Sequence, residues 1–436
     1  MKSDRRSPVA IIGAGFSGTM AAAQLARKGV ASVLIEGGGR AGLGAAYSTT
    51  DPAHLLNVPA GNMSAWADVP DDFTRRVGNK SLFTERREFG AYLRSILDEA
   101  VSTGCVTLMS GKAIGAKPDG AGWSVAVDGH EPIAADALVL AIGNQPPGRL
   151  AAFDGAGDRL ISNPWSEAAR QAIADAVATD APVLIAGTGL TMVDIVLSLE
   201  ARGHRGPILA LSRRGLIPRG HAAFDPAPVG LDEVPSGSTA KLLVWLRRRG
   251  AEVGWRAAID SLRPHSHALW QSLGANEQRR FLRHARPWWD VHRHRIAPQV
   301  AGLLVELISA GRLQVIAGRV QGCRSAGNAV EVAIRKRSRP DALTGRFAYV
   351  FNCTGPLHSI AQTGEPLLRQ LLGDNHARAD ELGIGLAVGD GSRVQGSDRL
   401  WAVGPLTKGA FWEIVAVPDI RAQAAAVADD ISRELA

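Results

Sequence analysis

The feature that most constrains the fold of this chain is a glycine-rich turn near its start. The short apolar run VAII at 9–12 leads into Gly13, Gly15 and Gly18, which follow the GxGxxG pattern, and a helix-like segment comes next. In such turns the first glycine allows a sharp bend, the second lets the backbone approach a pyrophosphate, and the third lets the helix pack on the strand. The sequence therefore predicts a βαβ unit that binds a dinucleotide.

The residues around this turn are the candidate ligands of the first dinucleotide. Phe16 and Ser17 open the predicted helix, whose N-terminal N–H groups are free to bind phosphate. The next strand, SVLIE, ends at Glu36, where a carboxylate can accept hydrogen bonds from ribose hydroxyls. The alternative is a βαβ unit that binds nothing.

A similar turn returns in the middle of the chain, after the run VLIA at 183–186. Gly187 and Gly189 occupy the first two glycine positions, and Met192 stands at the third. Because a small residue is usual there, we expect this helix and strand to pack less closely. The repeat predicts a second dinucleotide-binding unit.

The end of the following strand distinguishes the second unit from the first. The run PILALS ends at Ser212, and Arg213 and Arg214 follow it, with no acidic residue at that position. A carboxylate would repel a 2′-phosphate, whereas a serine and two arginines would bind one. The pattern predicts FAD at the first site and NADPH, rather than NADH, at the second. The alternative is that both arginines belong to a solvated loop.

Two strand-like runs that end abruptly mark the crossings between the units. ALVLAIGNQPP at 137–147 is broken at Gly143, and YVFNCTGP at 349–356 is broken in the same way. The NADPH unit is therefore expected to be inserted into the FAD unit. The predicted fold class is α/β, with two Rossmann-like dinucleotide-binding domains and a helical insertion. The predicted divisions are an FAD-binding part at 1–165, an NAD(P)H-binding domain at 166–345 with its insertion at about 226–300, and a second FAD-binding part at 346–436.

Two segments are candidates for contact with the flavin ring. In the first, at 46–66, Asn57 is expected to hydrogen-bond a flavin edge, whereas His54 and Met63 either face the ring or pack in the core. The second, GPLTKGAFWEI, starts at Gly404, and a final helix is expected to begin near Phe411. The backbone N–H groups just ahead of that helix would then stabilise negative charge on the reduced flavin. Those groups belong to Lys408 and Gly409.

The insertion is rich in Arg, Trp and His, and it holds the predicted catalytic residues. His292 and Arg293 lie in WDVHRHR, which we expect to be extended and to form, with Trp288 and Trp289, a wall facing the open side of the flavin. Such a wall suits a planar or anionic metabolite. The alternatives are a metal site, for which Asp290 alone does not complete a ligand set, and structural hydrogen bonding. The predicted metal content is none.

Together these motifs resemble a known group of proteins. GFSGTM, GAAYSTTDPAHLLNVPAGNMS, GTGLTMVD, SRRGLIPRGH, WDVHRHR, NCTGP and LWAVGPLTKGAFWEI are similar to those of bacterial FAD/NAD(P)-binding flavoproteins. That family is related to flavin-dependent N-hydroxylating and class B-type monooxygenases and to FAD-dependent urate hydroxylases. The resemblance covers nearly the whole chain. It implies FAD, a reduced nicotinamide donor, O2 and a small-molecule substrate, without fixing which substrate.

The resemblance implies a monooxygenase that hydroxylates a small polar nitrogen-containing metabolite, urate-like or amino-acid-like, through a flavin hydroperoxide. The alternative function is an NAD(P)H-dependent flavin reductase or oxidase that passes electrons to a protein or quinone partner. The sequence contains three cysteines and no CxxC pair, which excludes the redox disulfide of disulfide reductases.

Composition excludes several other classes of protein. Apolar residues make up 46% and charged residues 21%, which is typical of a globular protein. The net charge of +7 comes from short, dispersed arginine clusters, which do not form a nucleic-acid-binding motif. No apolar run is long enough to span a membrane, and the start shows no signal region. We therefore expect a cytoplasmic protein with no nucleic-acid partner, of undetermined oligomeric state.

Overall fold

The computed structural model describes residues 8–337 and 342–436. The first residues of the predicted FAD-binding part, 1–7, and residues 338–341 of the predicted NAD(P)H-binding domain lie outside them. The strands, in chain order, are β1 (Val9–Ile12), β2 (Ser32–Glu36), β3 (Val106–Ser110), β4 (Ala113–Asp119), β5 (Gly122–Val127), β6 (Ile133–Ala135), β7 (Ala137–Leu140), β8 (Leu160–Ile161), β9 (Val183–Ala186), β10 (Ile208–Ser212), β11 (Leu313–Ala326), β12 (Ala329–Lys336), β13 (Ala342–Phe347), β14 (Tyr349–Asn352) and β15 (Leu400–Ala402).

The helices cover the sheets and form the insertion. In chain order they are α1 (Phe16–Arg27), α2 (Gly44–Tyr47), α3 (Asp72–Val77), α4 (Arg86–Ser102), α5 (Glu167–Thr179), α6 (Leu190–Ala201), α7 (Thr239–Val253), α8 (Trp255–Ser261), α9 (Ser266–Ser272), α10 (Ala275–Arg280), α11 (Arg286–Arg293), α12 (Pro298–Ser309), α13 (Pro366–Gly373) and α14 (Val417–Glu434). A π-helical turn at Phe281–Ala285 joins α10 to α11.

The strands form two main sheets, and both are parallel where they follow the glycine turns. The first has the order β15-β7-β1-β2-β3, and the second has the order β13-β12-β11-β10-β9-β14-β8. A small antiparallel sheet, β4-β5-β6, covers one face of the first. The fold is therefore mixed α/β with two sheets of the nucleotide-binding kind, which confirms the predicted class.

Each main sheet lies between two layers of apolar side chains. On one face of the first sheet, Phe89 of α4 and Ala424 of α14 pack in a cluster with the strand residue Ile11. On one face of the second, Val196 of α6 and Leu304 of α12 pack in another. The central strands β1 and β9 are buried along their whole length, which explains why they appear in the sequence as uninterrupted apolar runs.

Two strands lie in a different sheet from the one expected. β8 and β14 both pair in the second sheet, with β14 next to β9, although the boundaries at 165/166 and 345/346 place them in the FAD-binding parts. The chain returns to the first sheet only at β15, which pairs with β7. The apolar runs of β7 and β14 look alike, and only long-range pairing assigns them to different sheets. The three-part division of the chain stays a prediction.

Polar contacts join the two sheet systems. Arg86, at the start of α4, donates two hydrogen bonds of 3.0 and 2.8 Å to the carboxylate of Asp194 in α6, and both side chains are largely buried. His54 is hydrogen-bonded to the hydroxyl of Ser198, also in α6, at 2.9 Å. His54 therefore has the packing role that the sequence left as an alternative, and Met63 is likewise buried in the core of the first sheet.

Candidate functional site

The first glycine turn lies between β1 and α1. An added Cβ at Gly18 would lie only 1.8 Å from the carbonyl oxygen of Gly13, so the third glycine is required for this helix and turn to meet. Gly15 is the N-cap of α1, and Phe16 and Ser17 form its buried first turn. The first N–H groups of an α-helix have no intrahelical acceptor. The turn therefore offers backbone donors of the kind that a pyrophosphate needs.

Glu36 lies beside this turn, at the end of β2. Its Oε2 accepts a hydrogen bond of 2.9 Å from the N–H of Ala14, and its Oε1 accepts one of 2.7 Å from the N–H of Gly38. A carboxylate oxygen can accept more than one hydrogen bond, so both oxygens keep acceptor capacity. The carboxylate is thereby fixed next to the glycine turn, and the residues present fit the adenosine end of FAD.

The second turn has the same local structure. Gly187 has φ +115°, and an added Cβ would lie 2.0 Å from the carbonyl oxygen of Cys353 after β14. Gly189 is the N-cap of α6. Met192, in the place of a third glycine, is fully buried in the core of the second sheet. The turn therefore accommodates the larger side chain within the core.

The loop after β10 carries the side chains predicted to recognise a 2′-phosphate. The hydroxyl of Ser212 accepts hydrogen bonds from Thr188 Oγ1 and from the N–H of Gly215, both at 2.9 Å, so this serine organises the loop. Arg213 is exposed, and within the described residues its side chain has no hydrogen-bond or ion-pair partner. Burial lowers the pKa of Arg214, and Arg213 lowers it further. The loop thus carries positive charge that no carboxylate of the described residues pairs with.

The loop after β15 differs from the prediction. The final helix begins at Val417 rather than near Phe411, so Lys408 and Gly409 do not lie at its N-terminus. Pro418 lies in the first turn of α14. Proline is favoured at the start of a helix and disfavoured further along it. The unbonded N–H groups of α14 therefore belong to residues near Val417.

The segment from Gly404 to Gly409 is instead a 3-10 turn followed by a loop. The N–H of Gly404 donates a hydrogen bond of 2.7 Å to Gln423 in α14, and the N–H of Lys408 bonds back to Pro405 at 3.4 Å. This segment meets Gly143, at the end of β7, around a small cavity that Lys408 also lines. The ends of β7 and β15 therefore converge here.

A hydrogen bond joins Asn57 to His221 of the second unit, a histidine that is not among the predicted site residues. The Nε2 of His221 is 2.9 Å from the backbone oxygen of Asn57. Burial lowers the pKa of His221, although the hydrogen bond to Asn57 opposes that shift. His221 closes the motif SRRGLIPRGH, but only the folded chain shows which residue it meets. Asn57 stays a candidate for contact with the flavin.

The insertion is helical, as predicted, and it joins the loops of both units. Arg256 of α8 donates a hydrogen bond of 3.1 Å to the backbone oxygen of Gly220, in the loop after β10. On the other side, Trp270 of α9 donates one of 2.7 Å to the backbone oxygen of Gly409 and stacks on Trp412 with ring centres 5.0 Å apart. The insertion therefore bridges the second nucleotide-binding loop and the loop after β15.

Glu413 anchors the insertion to the loop after β15. Its Oε1 accepts a hydrogen bond of 2.7 Å from the indole N–H of Trp289, and its Oε2 lies 3.1 Å from the Nε of Arg293. The side chains of Arg293 and Glu413 are 12% and 8% exposed, so this is a buried ion pair. We call the three residues the Glu413 clasp.

The predicted extended segment around His292 is wrong, because Arg286–Arg293 is a helix. His292 Nδ1 is 2.7 Å from the backbone oxygen of Trp288, one helical turn earlier, and its ring meets the edge of Trp255. Glu413 neutralises Arg293, and Trp288 is 49% exposed. These side chains therefore do not form a wall of free positive charge. The assignment of His292 and Arg293 as catalytic residues stays a prediction.

Two further properties of the described residues bear on the site. They contain no cluster of three or more His, Cys, Asp and Glu side chains that could hold a metal ion. No helix among them has both the length and the apolar character that crossing a membrane requires.

Comparison with known proteins agrees with the first nucleotide-binding unit. Residues 10–145 match a family of FAD-NAD(P)-binding proteins, so this part of the chain is an FAD-NAD(P)-binding domain. No sequence match is found among curated proteins.

Solved structures share the fold over nearly the whole chain. Ornithine hydroxylase from Pseudomonas aeruginosa aligns with a TM-score of 0.66 at 14% identity, covering 99% of this chain and 100% of its own. An ornithine N-hydroxylase from Kutzneria sp. 744, solved with reduced FAD, NADP+ and L-ornithine, has a TM-score of 0.65 at 16% identity with the same coverage. The thioredoxin reductase of T. acidophilum reaches 0.56 at 12% identity, covering 99% of both chains. At these identities the likeness establishes the fold alone.

Proposed function

We propose that this protein is an FAD- and NAD(P)H-dependent monooxygenase that hydroxylates a small polar nitrogen-containing metabolite. The observation that carries the proposal is the insertion, which bridges the loop after β10 and the loop after β15 through Arg256 and the Glu413 clasp. An oxygenase must keep bulk water from its reacting centre, and a bridge over the cleft between the two sheets serves that purpose. The domain match at 10–145 and the fold shared with ornithine hydroxylases support the same assignment.

Different residues would form the two cofactor sites. The first glycine turn and Glu36 would hold the phosphates and ribose of FAD, and the second turn with Arg213 and Arg214 would hold NADPH. When bound, FAD accepts electrons from the nicotinamide and supplies the oxygen chemistry. The chain itself binds and orients the two cofactors, and its insertion limits the access of water.

A second candidate is an NAD(P)H-dependent flavin reductase or oxidase that passes electrons to a protein or quinone partner. The likeness to thioredoxin reductase favours it, since that fold aligns over 99% of the chain. Electron transfer through a pair of cysteines would need two thiols close together. Cys105, Cys323 and Cys353 are all free thiols, and they lie in separate parts of the fold. Cys353 is also buried, and burial raises the pKa of its thiol well above the usual value. The cysteines therefore favour the monooxygenase.

The expected result is that NADPH consumption depends on an added small molecule. Purified FAD-loaded protein is incubated with NADPH and a panel of amino acids, amines and purine derivatives, while NADPH loss, O2 uptake and hydrogen peroxide are followed. A monooxygenase gives faster NADPH loss with one class of compound, and hydroxylated product replaces hydrogen peroxide. Rapid NADPH loss that ignores every compound, but responds to a quinone, would favour the reductase instead.

A further inference from the structure

Basic side chains from four separate segments, three of them cationic and one a histidine, meet where strands of the two sheets end. Arg213 follows β10, Arg286 begins α11, His358 follows β14 and Lys408 follows β15. We call these four residues the cationic track. Burial lowers the pKa of the His358 imidazole, and Arg286, Lys408 and Arg213 are all close enough to lower it further. The track therefore crosses from the second nucleotide-binding unit to the loop expected beside the flavin.

Contacts of the insertion place Arg286 in the middle of the track. At one end, Arg214 Nη2 donates a hydrogen bond of 3.4 Å to the backbone oxygen of His284, which brings the loop after β10 against the insertion. At the other end, the guanidinium carbon of Arg286 lies 5.6 Å from the ring centre of Trp412, in the loop after β15. The insertion thus fills the space between the two loops.

The positive charge of the track is only partly balanced by the protein. Among the described residues, the side chains of Arg213, His358 and Lys408 have neither a hydrogen-bond nor an ion-pair partner. Arg286 Nε is 3.2 Å from Asp290, which balances one charge. The carboxylate of Asp380 acts on Lys408, but its Oδ1 is already bound by the backbone N–H groups of Leu382 and Ile384, and only its Oδ2 has no hydrogen-bond partner among the described residues.

Lys408 is also placed at a cavity rather than packed in the core. The cavity opens at the ends of β7, β14 and β15, and Gly143, Leu357 and Lys408 lie around it. A half-buried lysine with no partner among the described residues is destabilising unless an anion binds beside it. The site therefore has the chemistry of a receptor for an anionic group.

We infer that the cationic track binds the phosphate groups of NADPH, with Arg286 and Lys408 completing a site that begins at Arg213. The inference rests on the proposed function, in which NADPH is the electron donor. A dinucleotide held at Arg213 must extend along the cleft to deliver its nicotinamide to the flavin, and the track follows that direction. Arginine binds phosphate through paired N–H donors, and lysine binds it as a point charge. The insertion is then a wall of the nicotinamide site as well as a cover.

Anaerobic flavin reduction tests this inference. Arg286→Met and Lys408→Met are each expected to raise the Kd for NADPH about tenfold, because a charge-assisted hydrogen bond is lost. The FAD content of Arg286→Met should stay at the wild-type value, and Arg286→Lys should recover part of the affinity. Arg247→Met is the matched control: it removes from α7 of the same insertion an exposed arginine that has no partner among the described residues, and it should leave the Kd unchanged.

The pH dependence of NADPH affinity adds a readout that a purely structural lysine would not change. Burial and Arg286 lower the pKa of Lys408 to about 8, although Asp380 opposes the shift. Lys408 is therefore charged below that pH and neutral above it; the other charged or titratable side chains that act on this site are Arg213, Arg286, His358 and Asp380. Wild-type affinity should weaken as pH rises through about 8. Lys408→Met should show no such change, and Lys408→Arg should keep tight binding at higher pH.

Two results would overturn the inference, and they are distinguishable. If NADPH reduces the wild type and both methionine variants with the same Kd and pH profile, the track does not bind this cofactor, although the proposed function stands. If NADPH fails to reduce the flavin of the wild type at all, the proposed function fails and the inference with it.

Discussion

Gly18→Ala is expected to yield a protein that purifies with little or no FAD. The new Cβ would lie 1.8 Å from the carbonyl oxygen of Gly13, so α1 must move away from the turn that precedes it. Overpacking of this kind costs roughly 1–3 kcal/mol, which corresponds to a loss of FAD affinity of about five- to 150-fold if the whole cost falls on the bound state. The measurement is the flavin absorbance of the purified protein, followed by titration with FAD.

Gly302→Ala is the matched control for this substitution. Gly302 lies within α12, where an added Cβ meets no atom within 4 Å. Alanine stabilises a helix interior by roughly 0.5–1 kcal/mol relative to glycine, so this variant should keep its FAD and unfold at slightly higher temperature. Wild-type FAD affinity in Gly18→Ala would show that the first turn is not the FAD site.

Glu413→Gln is expected to cause a large loss of stability, because it breaks a buried ion pair between the insertion and the loop after β15. Glu413 is 8% exposed and pairs with Arg293, which is 12% exposed, so its loss leaves a nearly buried guanidinium without a counter-ion. Breaking a buried pair from one side typically costs about 3–5 kcal/mol. Urea unfolding followed by tryptophan fluorescence measures it, because Trp289 donates its indole N–H to the same carboxylate.

A double-mutant cycle separates the ion pair from other effects of the substitution. Arg293→Met in the Glu413→Gln background removes the unpaired charge, so the double variant should be less destabilised than the sum of the two single variants. Glu331→Gln is the matched control, because Glu331 pairs with Arg324 at 2.8 Å where that arginine is 72% exposed. Such a surface pair contributes about 1 kcal/mol at most. Additive effects of Glu413→Gln and Arg293→Met would mean that the Glu413 clasp does not couple the insertion to the loop after β15.

The parts of this molecule that the sequence predicts well are those that local chemistry determines. The two glycine turns follow from the close approaches that Gly18 and Gly187 make, and no larger residue fits there without a shift. The helical insertion follows from the spacing of its apolar residues. These features need only a short window of sequence.

The errors about Arg293 and β14 involve contacts between residues distant in the chain. Arg293 looked like a free cation because its partner, Glu413, lies in another segment. β14 resembled β7 in its apolar run and its terminal glycine, yet it pairs with β9. His221 and Asn57 meet only because the two units fold against each other. No local pattern encodes such pairings.

Coupling of two dinucleotides by this chain is tested most directly by mixing FAD-loaded protein with reduced nicotinamide in the absence of oxygen. The prediction is that NADPH bleaches the flavin at lower concentration than NADH does, since Arg213 is exposed and unpaired among the described residues. Arg213→Ala should remove that preference and leave reduction by NADH unchanged. If neither NADPH nor NADH reduces the flavin, the chain does not couple two dinucleotides.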